Sequence, residues 1–180
     1  MWYVGTRGGT MLSGQVDSSL QKRIQTEVVP RIPTEPWYDV ERSLPLRYDT
    51  DIWTIASIAF PHCTGEPRTD AVYVLECLPT SEYQHSAIRT LGKYKPQWGD
   101  ELRRARRILY VGVTTGLLKR LDHHLNNTDN RGAEFTQVFP PVRLLDVAWY
   151  SSYGYAERAE VLTAEALRER FPDDYVAQPG

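Results

Sequence analysis

Cysteine is scarce in this chain, with Cys63 and Cys77 its only two. Two thiols are too few for a disulfide framework, and no CxxC or HxxxH pair offers the spacing of a structural zinc site. Both are expected to stay reduced, with Cys77 packed inside a strand. Long apolar runs are missing as well: no stretch approaches the roughly 18 consecutive apolar residues of a membrane span. The opening residues, Met1 to Gly14, lack the basic and apolar regions of a signal peptide, so the expected location is the cytoplasm, with no membrane partner. An excess of one charge sign is also lacking. The formal net charge is -2, which taken alone argues against a polyanionic partner.

The chain does contain an ordinary folded domain. Its 180 residues, 24% charged and 41% hydrophobic, suit one catalytic unit with an extension rather than two independent domains or a disordered chain. The charge is also unevenly spread. Between His85 and Arg120 lie Arg89, Lys93, Lys95, Arg103, Arg104, Arg106, Arg107, Lys119 and Arg120, opposed only by Asp100 and Glu101. Such a local basic surface suits contact with nucleic-acid phosphates, although a solvated helix face produces the same run.

Residues 1–69 read as the less regular part and as an N-terminal extension. Gly5, Gly8, Gly9 and Gly14 precede a short helical candidate at Ser18–Val28. Pro30, Pro33 and Pro36 then suggest an extended strap, either lying across the domain or offering an adaptor site to a partner protein. Trp37, Tyr38, Trp53 and Ile52–Phe60 are too apolar for a free linker, so the extension is expected to pack on the core. From Asp70 the pattern sharpens. Ala71–Cys77 is a β-prone run ended by Pro79, followed by helical candidates at Ser81–Leu91 and Asp100–Arg107 that carry most of the basic residues. Ile108–Val113 is a second strand, and Thr114 or Thr115 can cap a helix from about Gly116 to Asn126. Arg143–Tyr150 is a third strand, and a last helix runs from about Tyr155 to Arg170, stopped by Pro172.

Three polar residues fall on or beside apolar helix faces. On the helix after the second strand, Leu117, Leu118, Leu121 and Leu125 form the buried stripe, with Arg120 and His124 stacked on one edge of it and His123 turned outward. On the last helix, Ala156, Ala159, Leu162, Thr163, Ala166, Leu167 and Phe171 make the apolar arc, and Glu160 falls inside it. A carboxylate placed there requires a partner, which is either a salt bridge to Arg170 or Arg120, or a metal ion.

Together these residues resemble the GIY-YIG nucleases. The likeness rests on Ala71-Val72-Tyr73 and Tyr110-Val111-Gly112 in the two strands, Arg120 and His124 at the family's spacing after Tyr110, and the Ala-x-x-x-Glu at Ala156–Glu160. It covers roughly residues 70–170. Ala71 stands where the family has glycine, and Val72 and Val111 stand for isoleucine. The stretch from Leu78 to Tyr110 is longer than the usual short turn, as in the restriction enzymes of the class. No asparagine follows Asn130, so the family's asparagine after the glutamate would have to be replaced by Gln178 or an acid such as Asp173.

The resemblance implies an α/β (α+β) fold with a small three-stranded, largely antiparallel sheet flanked by helices. Residues 70–180 would form the catalytic domain, with a basic helical insert at 79–107. It further implies an endonuclease hydrolysing DNA phosphodiester bonds, on duplex or branched substrates, with one Mg2+ or Mn2+ held by Glu160. Tyr73 would act as general base and Tyr110 would align water or phosphate. Arg120 would supply positive charge, and His124 would orient Tyr73 or relay its proton. His124 as the base, with the tyrosines as donors, fits the same residues. Lys93, Lys95, Arg103, Arg104, Arg106, Arg107 and Lys119 would contact the nucleic acid. Cutting both strands would require a homodimer or two visits. A fold retained for binding or scaffolding, without the reaction, is the competing expectation.

Overall fold

The computed structural model describes residues 13–36, 63–64, 68–78, 95–126 and 133–179. At its centre are three long strands whose side chains are almost all buried: β2 (Asp70–Cys77), β3 (Ile108–Thr114) and β4 (Pro141–Tyr150). Burial on both faces explains why these segments read as continuous apolar runs instead of alternating ones. β2 pairs antiparallel with β3 on one side and with β4 on the other, with irregularities in the β4 register at Val74/Leu75 and Glu76/Cys77. Two short strands complete a mixed sheet of order β1-β4-β2-β3-β5. β1 (Cys63–Thr64) runs parallel to β4, and β5 (Tyr175–Ala177) runs parallel to β3.

Where three strands were expected, the sheet has five among the described residues. The two extra strands have two and three residues, too short to carry a period of their own. The coarser expectation, a mixed α/β sheet flanked by helices, holds. Among the described residues no helix is long and apolar enough to cross a membrane.

One face of the sheet carries Tyr73, Leu75, Tyr110 and Val147. It is covered by helix α3 (Leu117–Asn126) through Leu117, Leu121 and Leu125, and by the short helix α4 (Glu134–Val138) through Phe135 and Val138. The opposite face carries Val72, Val74, Leu109 and Val111. It is covered by helix α5 (Tyr153–Arg170) and by the N-terminal segment. That segment consists of α1 (Ser13–Arg23), a π-helical turn at Ile24–Val28 and a 3₁₀ turn at Val29–Arg31. Its Leu20, Ile24, Val28, Val29 and Ile32 are all buried in this second core. Helix α5 begins where the Ser152 hydroxyl accepts the Tyr155 backbone N–H at 3.3 Å, two residues earlier than the apolar arc suggests.

The proline segment is fastened to the domain by buried arginines. Arg107 donates to the Pro33 carbonyl, and Arg143 donates to the Glu35 carbonyl at 2.9 Å while pairing with the buried Glu76. Helix α2 (Gly99–Arg104) also ends sooner than the expected Arg107. The chain beyond it is drawn towards the C-terminal segment, where Arg106 N–H bonds the Asp173 carbonyl and Tyr175 N–H bonds the Arg107 carbonyl. The helix expected at Ser81–Leu91 and the apolar stretch Ile52–Phe60 lie outside the described residues.

Candidate active site

The site is built from the register of two strands. Tyr73 on β2 lies opposite Gly112 on β3, and Leu75 opposite Tyr110, so both phenols share the α3 face as diagonal neighbours. Their ring centroids are 6.4 Å apart. Gly112 is needed for steric reasons, since a Cβ there would stand 2.4 Å from the Tyr73 Oη and 3.0 Å from the Tyr110 ring. The Tyr73 phenol lies across the space that any larger residue at 112 would fill.

Helix α3 supplies the next two groups. The turn into it is fixed by a bond from Gly116 N–H to Thr114 Oγ1 at 3.0 Å. Its apolar stripe faces the sheet and puts Arg120 and His124, one turn apart, over the phenols. Arg120 Nε donates to Tyr73 Oη at 3.4 Å, and Tyr73 Oη lies 2.6 Å from His124 Nε2. On its other side His124 Nδ1 is 2.7 Å from Thr136 Oγ1, whose hydroxyl donates to the Ala133 carbonyl at 3.1 Å.

This chain of bonds sets the histidine tautomer. With its proton on Ala133, Thr136 accepts from Nδ1–H; Nε2 is then left as an acceptor, and Tyr73 donates to it. The Tyr73 oxygen thus receives a bond from a cation and gives its own proton to an imidazole.

Glu160 reaches the group from α5. It is 7% exposed, and its Oε1 is buried with no hydrogen-bond partner among the described residues. Its carboxylate accepts the Val113 backbone N–H and is electrostatically coupled to Arg120, Tyr73 and Tyr110. Tyr73, Tyr110, Arg120 and His124 thus meet from β2, β3 and α3, and Glu160 on α5 is coupled to three of them electrostatically.

Burial dominates their protonation. The Tyr73 hydroxyl is pushed well above the usual phenol range by burial and by its neighbour Tyr110, and Arg120 pulls the other way. Tyr110 is pushed up to about 12 by burial, with Arg120 again opposing; its hydroxyl is buried without a well-aligned bond, within reach of the guanidinium. Burial drives His124 down to about 3, assisted by Arg120 and His123. Glu160 is raised to about 7 by burial and by Glu157, against the Val113 bond and Arg120. At neutral pH both phenols are therefore protonated, His124 is neutral and Arg120 is charged.

The donor set suits one kind of metal ion. Among the described residues no group of three or more His, Cys, Asp or Glu side chains could enclose an ion. A lone carboxylate with an orphaned oxygen fits a hard cation that keeps most of its waters, such as magnesium.

The expected nucleic-acid contacts separate into classes. Arg103, Arg104 and Lys119 are exposed. Lys95 is exposed and pairs with Glu134 at 2.9 Å, and Arg106 pairs with Glu35 at 3.3 Å. Arg107 differs from expectation: it is 3% exposed and is bound to Asp174 at 2.7 Å, so it belongs to the core and not to a phosphate-binding surface. Lys93 lies outside the described residues. Of the two candidates to stand in for the absent asparagine, Gln178 lies beside Tyr110 on the wall of a cavity and accepts from Arg168 at 3.4 Å, while Asp173 is exposed in the turn before β5.

Thr136 is the functional neighbour that sequence reasoning missed. It sits in a helix of five residues, too short to leave a periodic trace, and a buried threonine between aromatic residues carries no chemical signal by itself. Comparison with protein-family models, with curated proteins and with solved structures gives no match.

Proposed function

We propose that this protein is a metal-dependent endonuclease of the GIY-YIG type, which hydrolyses a DNA phosphodiester bond to leave a free 3′ hydroxyl. The observation that carries this reading is the placement of the Tyr73 oxygen between Arg120 Nε and His124 Nε2, at 3.4 and 2.6 Å, beside a buried carboxylate with an orphaned oxygen. Phosphodiester hydrolysis needs a deprotonated water, positive charge on the phosphoryl oxygens and help for the departing alkoxide. Glu160 would hold one Mg2+ or Mn2+ ion, which when bound supplies positive charge to the phosphate and to the leaving 3′ oxygen.

The chain's own residues would divide the remaining work. Burial disfavours a free Tyr73 phenolate and a His124 imidazolium alike, so the proton would move through both in step with the attack, with neither charge formed beforehand. Water gives its proton to Tyr73 Oη as the Tyr73 proton passes to His124 Nε2. The resulting hydroxide bonds to phosphorus, the bond to the 3′ oxygen breaks, and that oxygen takes a proton from solvent. Arg120, the half-exposed member of the group, grips a phosphate oxygen through its planar fork and stabilises charge on Tyr73. Thr136 holds His124 in the accepting tautomer. Arg103, Arg104 and Lys119 would contact phosphates further along the DNA.

A supercoiled plasmid tests the reading. Nicking that requires Mg2+ or Mn2+, and that Glu160→Ala abolishes without loss of DNA binding, is the expected result. Wild-type cleavage by Glu160→Ala would overturn the assignment. One observation favours a second reading, a binding protein that keeps this arrangement without the reaction: Tyr73 is 0% exposed. Under that reading DNA binds, and no cleavage occurs with any divalent ion.

A further inference from the structure

A second feature adjoins the phenols. A cavity of about 430 Å³ opens beside Tyr110, bounded by Trp98, Phe135, Tyr175, Lys95, Arg168 and Gln178 among others. Its size falls within the range of ligand pockets, and its wall is aromatic with polar groups at the rim. The rings form a continuous set. Tyr110 and Phe135 stack with centroids 5.9 Å apart at 20°, and Phe135 and Tyr175 stack at 6.0 Å and 11°. Trp98 meets Phe135 edge-on at 5.3 Å. Trp98, Phe135 and Tyr110 are buried, whereas Tyr175 is half-exposed and presents the accessible ring.

Two cations frame this wall. Lys95 Nζ stands 5.6 Å from the Trp98 ring centroid and 2.9 Å from Glu134. Arg168 is held by the Val176 carbonyl at 2.9 Å and by Gln178 Oε1 at 3.4 Å. Flat apolar rings, a side-chain amide and the positive charge of Arg168 and of Lys95, the latter paired with Glu134 on the same wall, match the parts of a nucleotide: a π face, a hydrogen-bonding edge and a phosphate. A packed aromatic core alone would leave no open volume there, and a surface for duplex phosphates would need no ring wall.

We propose that this pocket receives the unpaired base of the nucleotide next to the scissile phosphate, stacked on Tyr175, with Lys95 and Arg168 facing its backbone. The assignment rests on the nuclease reading for the position of that phosphate, because Tyr110 borders both the pocket and the catalytic group. It makes the substrate a strand with an unpaired nucleotide at the cut, such as a flap, a fork or a single-stranded end. A uniform duplex cannot supply that base without unstacking it.

The test measures binding in the Glu160→Ala protein, without metal, by fluorescence anisotropy. The probes are a short mixed-sequence single strand, its duplex, and a single strand of the same length made of abasic residues. The intact single strand is expected to bind at least about tenfold more tightly than the abasic strand, as one stacked base supplies. Tyr175→Ala is expected to abolish that difference, and Tyr175→Phe to retain it. If Tyr175→Ala does not fold, Lys95→Ala, at an exposed position, should weaken single-strand binding and lower its salt dependence. Equal binding of intact and abasic strands, or of wild type and the folded Tyr175→Ala protein, would overturn the pocket assignment. The nuclease reading fails separately, through the plasmid assay: base-dependent binding lost in Tyr175→Ala, in a protein that never cuts DNA, would keep the pocket and reject the reaction.

Discussion

Gly112 and Thr136 show how far single residues determine this site. A methyl group at 112 would collide with the Tyr73 hydroxyl at 2.4 Å, and Tyr73 is fully buried, so the ring cannot swing out to solvent without opening the core. Gly112→Ala is expected to destabilise the protein by about 1–3 kcal/mol, the usual range for overpacking a core, and to depress cleavage by displacing the Tyr73 oxygen. Thermal melting and a nicking assay on the same preparation check both effects. Thr136→Val should act differently, leaving His124 Nδ1–H buried without an acceptor at a cost of about 1–3 kcal/mol; Thr136→Ser restores the acceptor and should restore activity. Asp146 gives a test through pH. It is buried on β4 and its pKa is raised by burial from 3.8 to about 7, against Arg31 at 3.3 Å. The folded state therefore holds this proton more tightly than the unfolded chain does, so the contribution to stability is full below pH 3.8 and is lost as pH rises through about 7. Glu160 acts in the same direction. The melting temperature should fall between pH 5 and pH 8, and Asp146→Asn should make that fall smaller. An unchanged slope would show that Asp146 is ionised throughout.

At the scale of elements, one basic run in the sequence becomes two kinds of residue in the fold. Arg107 is locked to Asp174 beneath β5, whereas Arg103 and Arg104 face solvent from α2. Arg107→Ala is expected to cost about 3–5 kcal/mol, because it strands a buried carboxylate. Arg103→Ala with Arg104→Ala should leave the melting temperature nearly unchanged and flatten the salt dependence of DNA binding. Calorimetry and a salt titration of affinity separate the two. That division was not legible in the sequence, since a row of arginines looks alike until a distant aspartate pairs with one of them. The major elements could be read. β2, β3, β4, α3 and α5 announced themselves because their apolar residues form unbroken runs or a helical stripe, and Glu160 stood out as a charge within such a stripe. β5 could not be read, since three residues after Pro172 acquire strand character only by pairing with β3. The aromatic pocket was hidden for a similar reason: Trp98, Phe135 and Tyr175 are distant in sequence and meet only through tertiary packing.

The whole molecule separates a supporting face from the candidate site across its sheet. Residues 13–36 and α5 pack on one face, while the phenols, α3 and α4 occupy the other, and Glu160 is the group that α5 contributes to the site. Leu20, Ile24, Val28, Val29 and Ile32 each bury a side chain worth about 1.5–3 kcal/mol on this supporting face. Deleting the chain through residue 36 should therefore unfold the protein or lower its melting temperature sharply. A truncated protein that melts normally would show that the N-terminal segment is not part of the core. The proposed catalysis turns on one oxygen atom, the Tyr73 hydroxyl between a guanidinium and an imidazole. The most direct measurement is the Mg2+-dependent nicking rate of Tyr73→Phe beside wild type, with circular dichroism to show that both are folded. A loss of about 10²–10⁴-fold is expected for the removal of a proton-transferring group; a folded Tyr73→Phe protein that nicks at the wild-type rate would contradict it.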